Sequence, residues 1–117
     1  MSSCDPTAHD ARSLMQSPIY RVVSLWIRLG AVAEFEAYER KAARIMRKYG
    51  GSIEKVIRTG QENSPDVPFE IHLVSFPGQE QFAAYRADPE LLSLATDRES
   101  AILKTVVVPG VGGPAYS

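Results

Sequence analysis

Phe69-Glu70-Ile71-His72-Leu73-Val74-Ser75-Phe76 alternates in two phases, with Phe69, Ile71, Leu73 and Ser75 in one and Glu70, His72, Val74 and Phe76 in the other. A period of two marks a β-strand, because successive side chains leave a pleated backbone on opposite sides. Pro77 and Gly78 close the run. Upstream, residues 59–68 are polar and carry Gly60, Pro65 and Pro68, which reads as a long loop. Before that loop, Ser52–Arg58 sets Ile53, Val56 and Ile57 in a shorter β-prone run. Residues 20–29 form the clearest strand: Val23, Leu25, Ile27 and Leu29 make a wholly apolar face, opposite Val22, Ser24, Trp26 and Arg28.

Between these strands the period changes. In residues 33–49, Phe35, Tyr38, Ala42, Ile45 and Tyr49 recur at spacings of three and four, a helical stripe stopped by Gly50 and Gly51. Glu34, Glu36 and Glu39 come early and Arg44, Arg47 and Lys48 late, the order a helix dipole favours, and Glu36 to Arg40 adds an i,i+4 pair. No Ser, Thr, Asp or Asn caps the start. The basic flank Arg40, Arg44, Arg47, Lys48 reads as a solvated helix face. Downstream, 79–87 is helical through Phe82 and Tyr85, Asp88 and Pro89 break it, and 90–102 resumes with Leu91, Leu94 and Arg98. A last β-branched run, 104–108, is closed by Pro109 and Gly110. The glycines at 110, 112 and 113 precede no helix and so make no phosphate-binding loop.

The order strand, helix, strand, strand, helix, strand predicts an α+β, ferredoxin-like βαββαβ domain: one antiparallel four-stranded sheet with two helices on one face. Residues 19–110 are expected to form this domain, with an N-terminal tail at 1–18 and a C-terminal tail at 111–117. The first and third strands should be central neighbours, setting Ser24, Trp26 and Arg28 beside Glu70, His72 and Val74 on the face without helices. Such a face is too apolar for water and too charged for a dry core, so a second copy packing sheet on sheet is expected to cover it.

Composition narrows the function. A chain of 117 residues with 44% hydrophobic and 23% charged side chains supports a single globular domain. A net charge of -1 provides no field for nucleic acid or an anionic membrane. With no membrane-length apolar run and no signal-peptide pattern, a cytoplasmic location is the expectation. Cys4 is the single cysteine, which rules out an intrachain disulfide and a Cys-rich zinc site. Cys4, Asp5 and His9 are metal-ligand types, but on a polar terminus they read as a loose tail. No metal or cofactor is expected.

Several short motifs carry a family likeness: Lys48-Tyr49-Gly50-Gly51, Phe76-Pro77, Asp88-Pro89-Glu90, Arg98 and Val106-Val107-Val108-Pro109-Gly110. Together, over residues 20–110, they resemble the domain-of-unknown-function 1330 family. The resemblance implies a dimeric α/β barrel in the wider company of cofactor-free monooxygenases and haem-degrading enzymes, and implies no particular reaction. Haem-degrading relatives use an Asn, Trp and His triad; Trp26 and His72 are present here, but neither central strand carries an Asn, which argues against haem degradation.

His72, mid-strand and with a side chain suited to acid–base work near neutrality, is the first catalytic candidate; a histidine hydrogen-bonded within a subunit interface is the competing reading. Glu70 can orient its ring, although a cross-strand pair with Arg28 is the more ordinary expectation. Trp26 can stack on a flat substrate, or simply fill a dimer core, and Arg28 can clamp a carboxylate. Ser24 completes the residue types of a hydrolytic triad but lacks the sharp turn and oxyanion hole that hydrolysis needs. Three functions stay open: a small-molecule-binding homodimer with a pocket for an aromatic or carboxylated metabolite, a cofactor-independent monooxygenase- or isomerase-like enzyme using His72, and a dimeric interaction module without ligand. A pocket of a few hundred cubic ångströms beside His72 separates the first two from the third.

Overall fold

The computed structural model of the chain describes residues 17–116. Cys4, Asp5 and His9, and all but the last two residues of the expected N-terminal tail, lie outside the described residues. Strands β1 (Ile19–Ile27), β2 (Ser52–Arg58), β3 (Glu70–Phe76) and β4 (Ile102–Val111) form one antiparallel sheet in the order β2-β3-β1-β4. Helix α1 (Val32–Arg47) follows β1, and α2 (Gln79–Arg86), α3 (Pro89–Ser93) and α4 (Ala95–Ala101) lie between β3 and β4. The fold is the expected α+β, ferredoxin-like one, with its second helix divided into three pieces.

The α1 stripe does what its spacing requires. Phe35, Tyr38, Ala42 and Ile45 are buried, and Phe35 joins Leu25, Ile27, Phe69 and Ala101 in one core cluster. Burial of each large side chain in that cluster is worth about 1.5–3 kcal/mol. A second cluster gathers Met46, Val74 and Phe76, against which Phe82 and Tyr85 of α2 pack. Both helical layers therefore cover the same side of the sheet. The basic flank of α1 is solvated and paired, Arg40 with Glu36 and Arg44 with Glu90.

Gly50 turns left-handed (φ 77°) after α1, and the Gly51 N–H returns to the Met46 carbonyl at 3.0 Å. A Cβ on Gly51 would press on the Met46 side chain and lie 2.5 Å from Phe76 Cε1. Phe76 is fully buried and has no room to retreat. Gly51→Ala is therefore expected to lower stability by about 1–3 kcal/mol, the usual cost of overpacking, read as a lower urea midpoint at unchanged slope.

Asp88 explains the break in the second helical region. It is buried, accepts from the Glu90 and Leu91 N–H groups at 2.8 and 3.1 Å, and so caps α3. The Tyr49 hydroxyl donates to it at 2.5 Å and Lys48 lies 3.1 Å away. The Tyr49 hydrogen bond first, then Lys48 and the backbone donors, hold its carboxyl down at about 2 against the opposing effect of burial. The motifs around Lys48-Tyr49 and Asp88-Pro89 thus meet as one joint between α1 and α3. The loop at 59–68 is fastened as well: the Asn63 N–H reaches the Ile27 carbonyl at 2.9 Å, and Glu62 accepts from the Gly30 N–H at 2.7 Å.

Three expectations are corrected. β1 ends at Ile27, and Leu29, 76% exposed, lies beyond it just before Gly30 (φ 77°). β4 runs through Pro109 and Gly110 to Val111, which an edge strand permits because a proline without N–H has no second neighbour to satisfy. Most consequentially, β3 pairs with β1 in the register Val23↔His72 and Leu25↔Glu70, so Glu70, His72, Val74 and Phe76 face the helices and Ser24 and Trp26 do not share their side. Both phases of β3 are apolar enough to face a core. The large pair Val74 and Phe76 claims the inner side, while Phe69 reaches the core from just before the strand, its ring 5.7 Å edge-on from Phe35.

Candidate functional site

The inward phase of β3 carries two polar groups into the protein, and each is provided with partners from another element. Glu70 and His72 are both 4% exposed. Arg58 of β2 grips Glu70, its Nε donating to Oε2 at 2.6 Å, and Arg58 is itself held by Glu36 of α1 at 2.9 Å. The other Glu70 oxygen, Oε1, meets His72 Nε2 at 2.7 Å. A carboxylate paired with a guanidinium only accepts, so Nε2 donates, and in the neutral ring Nδ1 carries the lone pair.

That lone pair points toward Glu39 of α1, whose Oε1 is 3.8 Å from Nδ1, beyond a direct hydrogen bond. Burial pushes the Glu39 carboxyl up to about 7; the nearby charge of Glu70 adds to this, and those of His72 and Arg98 oppose it. Glu39 thus keeps a share of its proton up to neutrality, beside a His72 ring that Glu70 fixes from behind and Arg58 secures through Glu70. A ring held in this way on one side is able to take up a proton on the other.

The group borders a cavity of about 850 Å³ between the sheet and the helices. Glu39 and His72 line it together with apolar side chains from the sheet and helices, among them Val23, Leu25, Met46 and Leu91. Tyr38, Tyr85 and Arg98 also reach it; burial raises both phenols, so they are hydroxyl donors at neutral pH. Its exposed rim includes Gln79, Arg86 and Pro109. Among the described residues no group of three or more His, Cys, Asp or Glu side chains is arranged to hold a metal ion.

The expected site residues separate into two sets. His72 lines the cavity and Glu70 is hydrogen-bonded to it from the same strand, whereas Trp26 and Ser24 lie on the opposite, helix-free face. There Lys104 Nζ stands 4.6 Å over the Trp26 ring, and the indole N–H is shut from solvent with no acceptor among the described residues. Arg28 belongs to neither set: it follows β1, is exposed, and donates to the Glu99 carbonyl at 3.0 Å. The expected Arg28–Glu70 pair is replaced by Arg58–Glu70. Glu39, Arg58, Tyr38 and Arg98 were not singled out from sequence as site residues. The one local signal is that Glu39 falls four residues after Phe35, at the margin of the buried α1 stripe.

No family model matches the chain, and no curated protein matches it either. Solved structures do. A protein of unknown function from Rhodopseudomonas palustris superposes with a TM-score of 0.72 at 13% identity, covering 97% of both chains. SnoaB, a cofactor-independent oxygenase from Streptomyces nogalater, gives 0.65 at 17% identity over 86% of this chain and 97% of its own. A dabb family protein with a ferredoxin-like fold from Mesorhizobium loti gives 0.61 at 17% identity over 85% of this chain and all of its own. At these identities the likeness is one of fold, and the chain shares the ferredoxin-like architecture of these proteins.

Proposed function

We propose that the chain is a homodimeric small-molecule-binding protein whose cavity takes a flat, largely apolar metabolite, and that His72 moves a proton to or from that molecule without a cofactor. The observation that carries the proposal is that His72 and Glu39 line a cavity of about 850 Å³, with His72 held from behind by Glu70, which Arg58 grips in turn. That volume is within the range of ligand pockets, about 300–1,000 Å³, and far above what a packed interior leaves between layers. SnoaB, with the same architecture, is described as a cofactor-independent oxygenase. Membership of the domain-of-unknown-function 1330 family, a folded unit at 19–110 and a cytoplasmic location belong to the same proposal; no helix among the described residues is long and apolar enough to cross a membrane.

The test uses 2-tetralone, a flat bicyclic ketone with an acidic C–H beside its carbonyl. In D2O the wild-type protein should speed exchange of that hydrogen, followed by proton NMR, above the rate in buffer. Binding without faster exchange would leave a binding protein and remove the proton-transfer role. Absence of binding for a panel of flat ketones and phenols would favour the ligand-free interaction module.

The homodimer is supported by the other face of the sheet. Val22, Leu73, Val106 and Val108 lie there at adjacent register positions and are 36–53% exposed, beside the buried Trp26 N–H that lacks an acceptor. A second sheet over this patch would cover it and leave the cavity, on the opposite side, free for ligand. Light scattering should give the dimer mass for the wild type and the monomer mass for Leu73→Lys; a monomeric wild type at micromolar concentration would refute the dimer.

A further inference from the structure

Arg98 of α4 is a half-buried cation with no carboxylate in direct contact among the described residues. Its neighbours on the surface are paired: Lys41 with Asp97, Arg44 with Glu90, Lys48 with Asp88. Among the described residues no carboxylate lies within 4 Å of the Arg98 guanidinium. One of its five N–H groups is taken by the Thr105 hydroxyl of β4, which fixes the plane of the fork. A guanidinium removed from water without a counter-charge is costly to keep, and its geometry matches a carboxylate through two parallel hydrogen bonds.

We propose that Arg98, fixed by Thr105 and flanked by the Tyr38 hydroxyl, is the anion-binding end of the cavity, and that the ligand is an aromatic or alicyclic carboxylic acid bound as its carboxylate. This rests on the cavity being a binding site. The three groups all line it, as do Glu39 and His72. A carboxylate on Arg98 lays its ring across the apolar wall of Val23, Leu25 and Val74, with the acid–base pair at its side. Glu39 is close enough to Arg98 to be affected by its charge, so an anion enters best when Glu39 holds its proton, with His72 and Glu70 of β3 and Tyr38 of α1 as the other groups around it. The rim cations fit the role less well. Arg21 already donates to the Tyr20 carbonyl and to Gln79 Oε1, each at 2.8 Å, and lies over the Phe82 ring; Arg86 is exposed and also over Phe82.

Calorimetric titration of the full chain with 2-naphthoate and with its neutral isostere 2-naphthamide, at pH 6 and low salt, decides it. The acid should bind about tenfold or more tightly than the amide. Arg98→Gln should abolish that preference by weakening the acid alone, and Arg21→Gln should keep it. Equal binding of acid and amide by the wild type would leave the cavity as a binding site and overturn the anion role. Preference surviving in Arg98→Gln would overturn the assignment to Arg98, and no binding of either probe at millimolar concentration would remove the cavity reading and this one together. Should Arg98→Gln fail to fold, the Arg98 Nε–H resonance of the wild type serves instead: it should move when 2-naphthoate is added and stay when the amide is.

Discussion

Replacing His72 by glutamine should slow the exchange of 2-tetralone by about 10²–10⁴, the usual worth of one positioned acid–base group. Glutamine keeps an N–H that can donate to Glu70, so the buried carboxylate is not left without this partner, but it has no basic atom to place toward the substrate. The circular dichroism spectrum and the affinity for 2-tetralone should stay close to wild type, so the loss falls on the chemical step rather than on binding. The surrounding structure makes this separation meaningful. Glu70 remains held by Arg58, and the ring position is walled by Phe35, whose centroid is 6.5 Å from that of His72. An unchanged exchange rate in a folded variant would show that Glu39 or solvent takes the proton and would strip His72 of its role.

How much of this was readable beforehand depends on whether the decisive partner lay nearby in sequence. The alternation of Val23, Leu25 and Ile27 and the stripe Phe35, Tyr38, Ala42, Ile45 each specify a buried face without outside help, and both form as expected. Asp88-Pro89 was legible as a break for the same reason, since a cap and a proline at the first helical turn act locally. β3 defeats this reasoning. The rule that charged side chains avoid the core sends Glu70 and His72 to the helix-free face, yet they face the helices because Arg58 from β2 and Glu39 from α1 meet them there. Those partners are separated from Glu70 by 12 and from His72 by 33 positions, and no periodicity reports them. The same holds for Arg98, which the sequence marks only as part of the second helical run and of the family likeness until Thr105 and Tyr38 are placed beside it.

Glu39→Gln should make the protein more stable at pH 8 by about 3 kcal/mol while leaving it nearly unchanged at pH 4.5. The folded carboxyl binds its proton up to about 7, against an ordinary value of 4.5. Between those limits the folded state holds more protons than the unfolded chain, so the stability this group contributes is complete below about pH 4.5 and is lost as pH rises through 7. A separation of about 2.5 units at 1.36 kcal/mol per unit sets an upper figure near 3 kcal/mol, and the 20% exposure of the side chain trims it. Glutamine resembles the protonated acid in shape and cannot ionise, so wild type and variant should coincide at the acid end and diverge above neutrality. Asp88 does not blur the comparison: its carboxyl, held at about 2, contributes stability above its ordinary value of 3.8 and loses it only below that, in a separate range. Urea titrations at pH 4.5, 6 and 8 measure the divergence directly. A constant difference across all three would mean that folding leaves the proton affinity of Glu39 at its ordinary value, that its burial is relieved by water, and that it is ionised near neutrality.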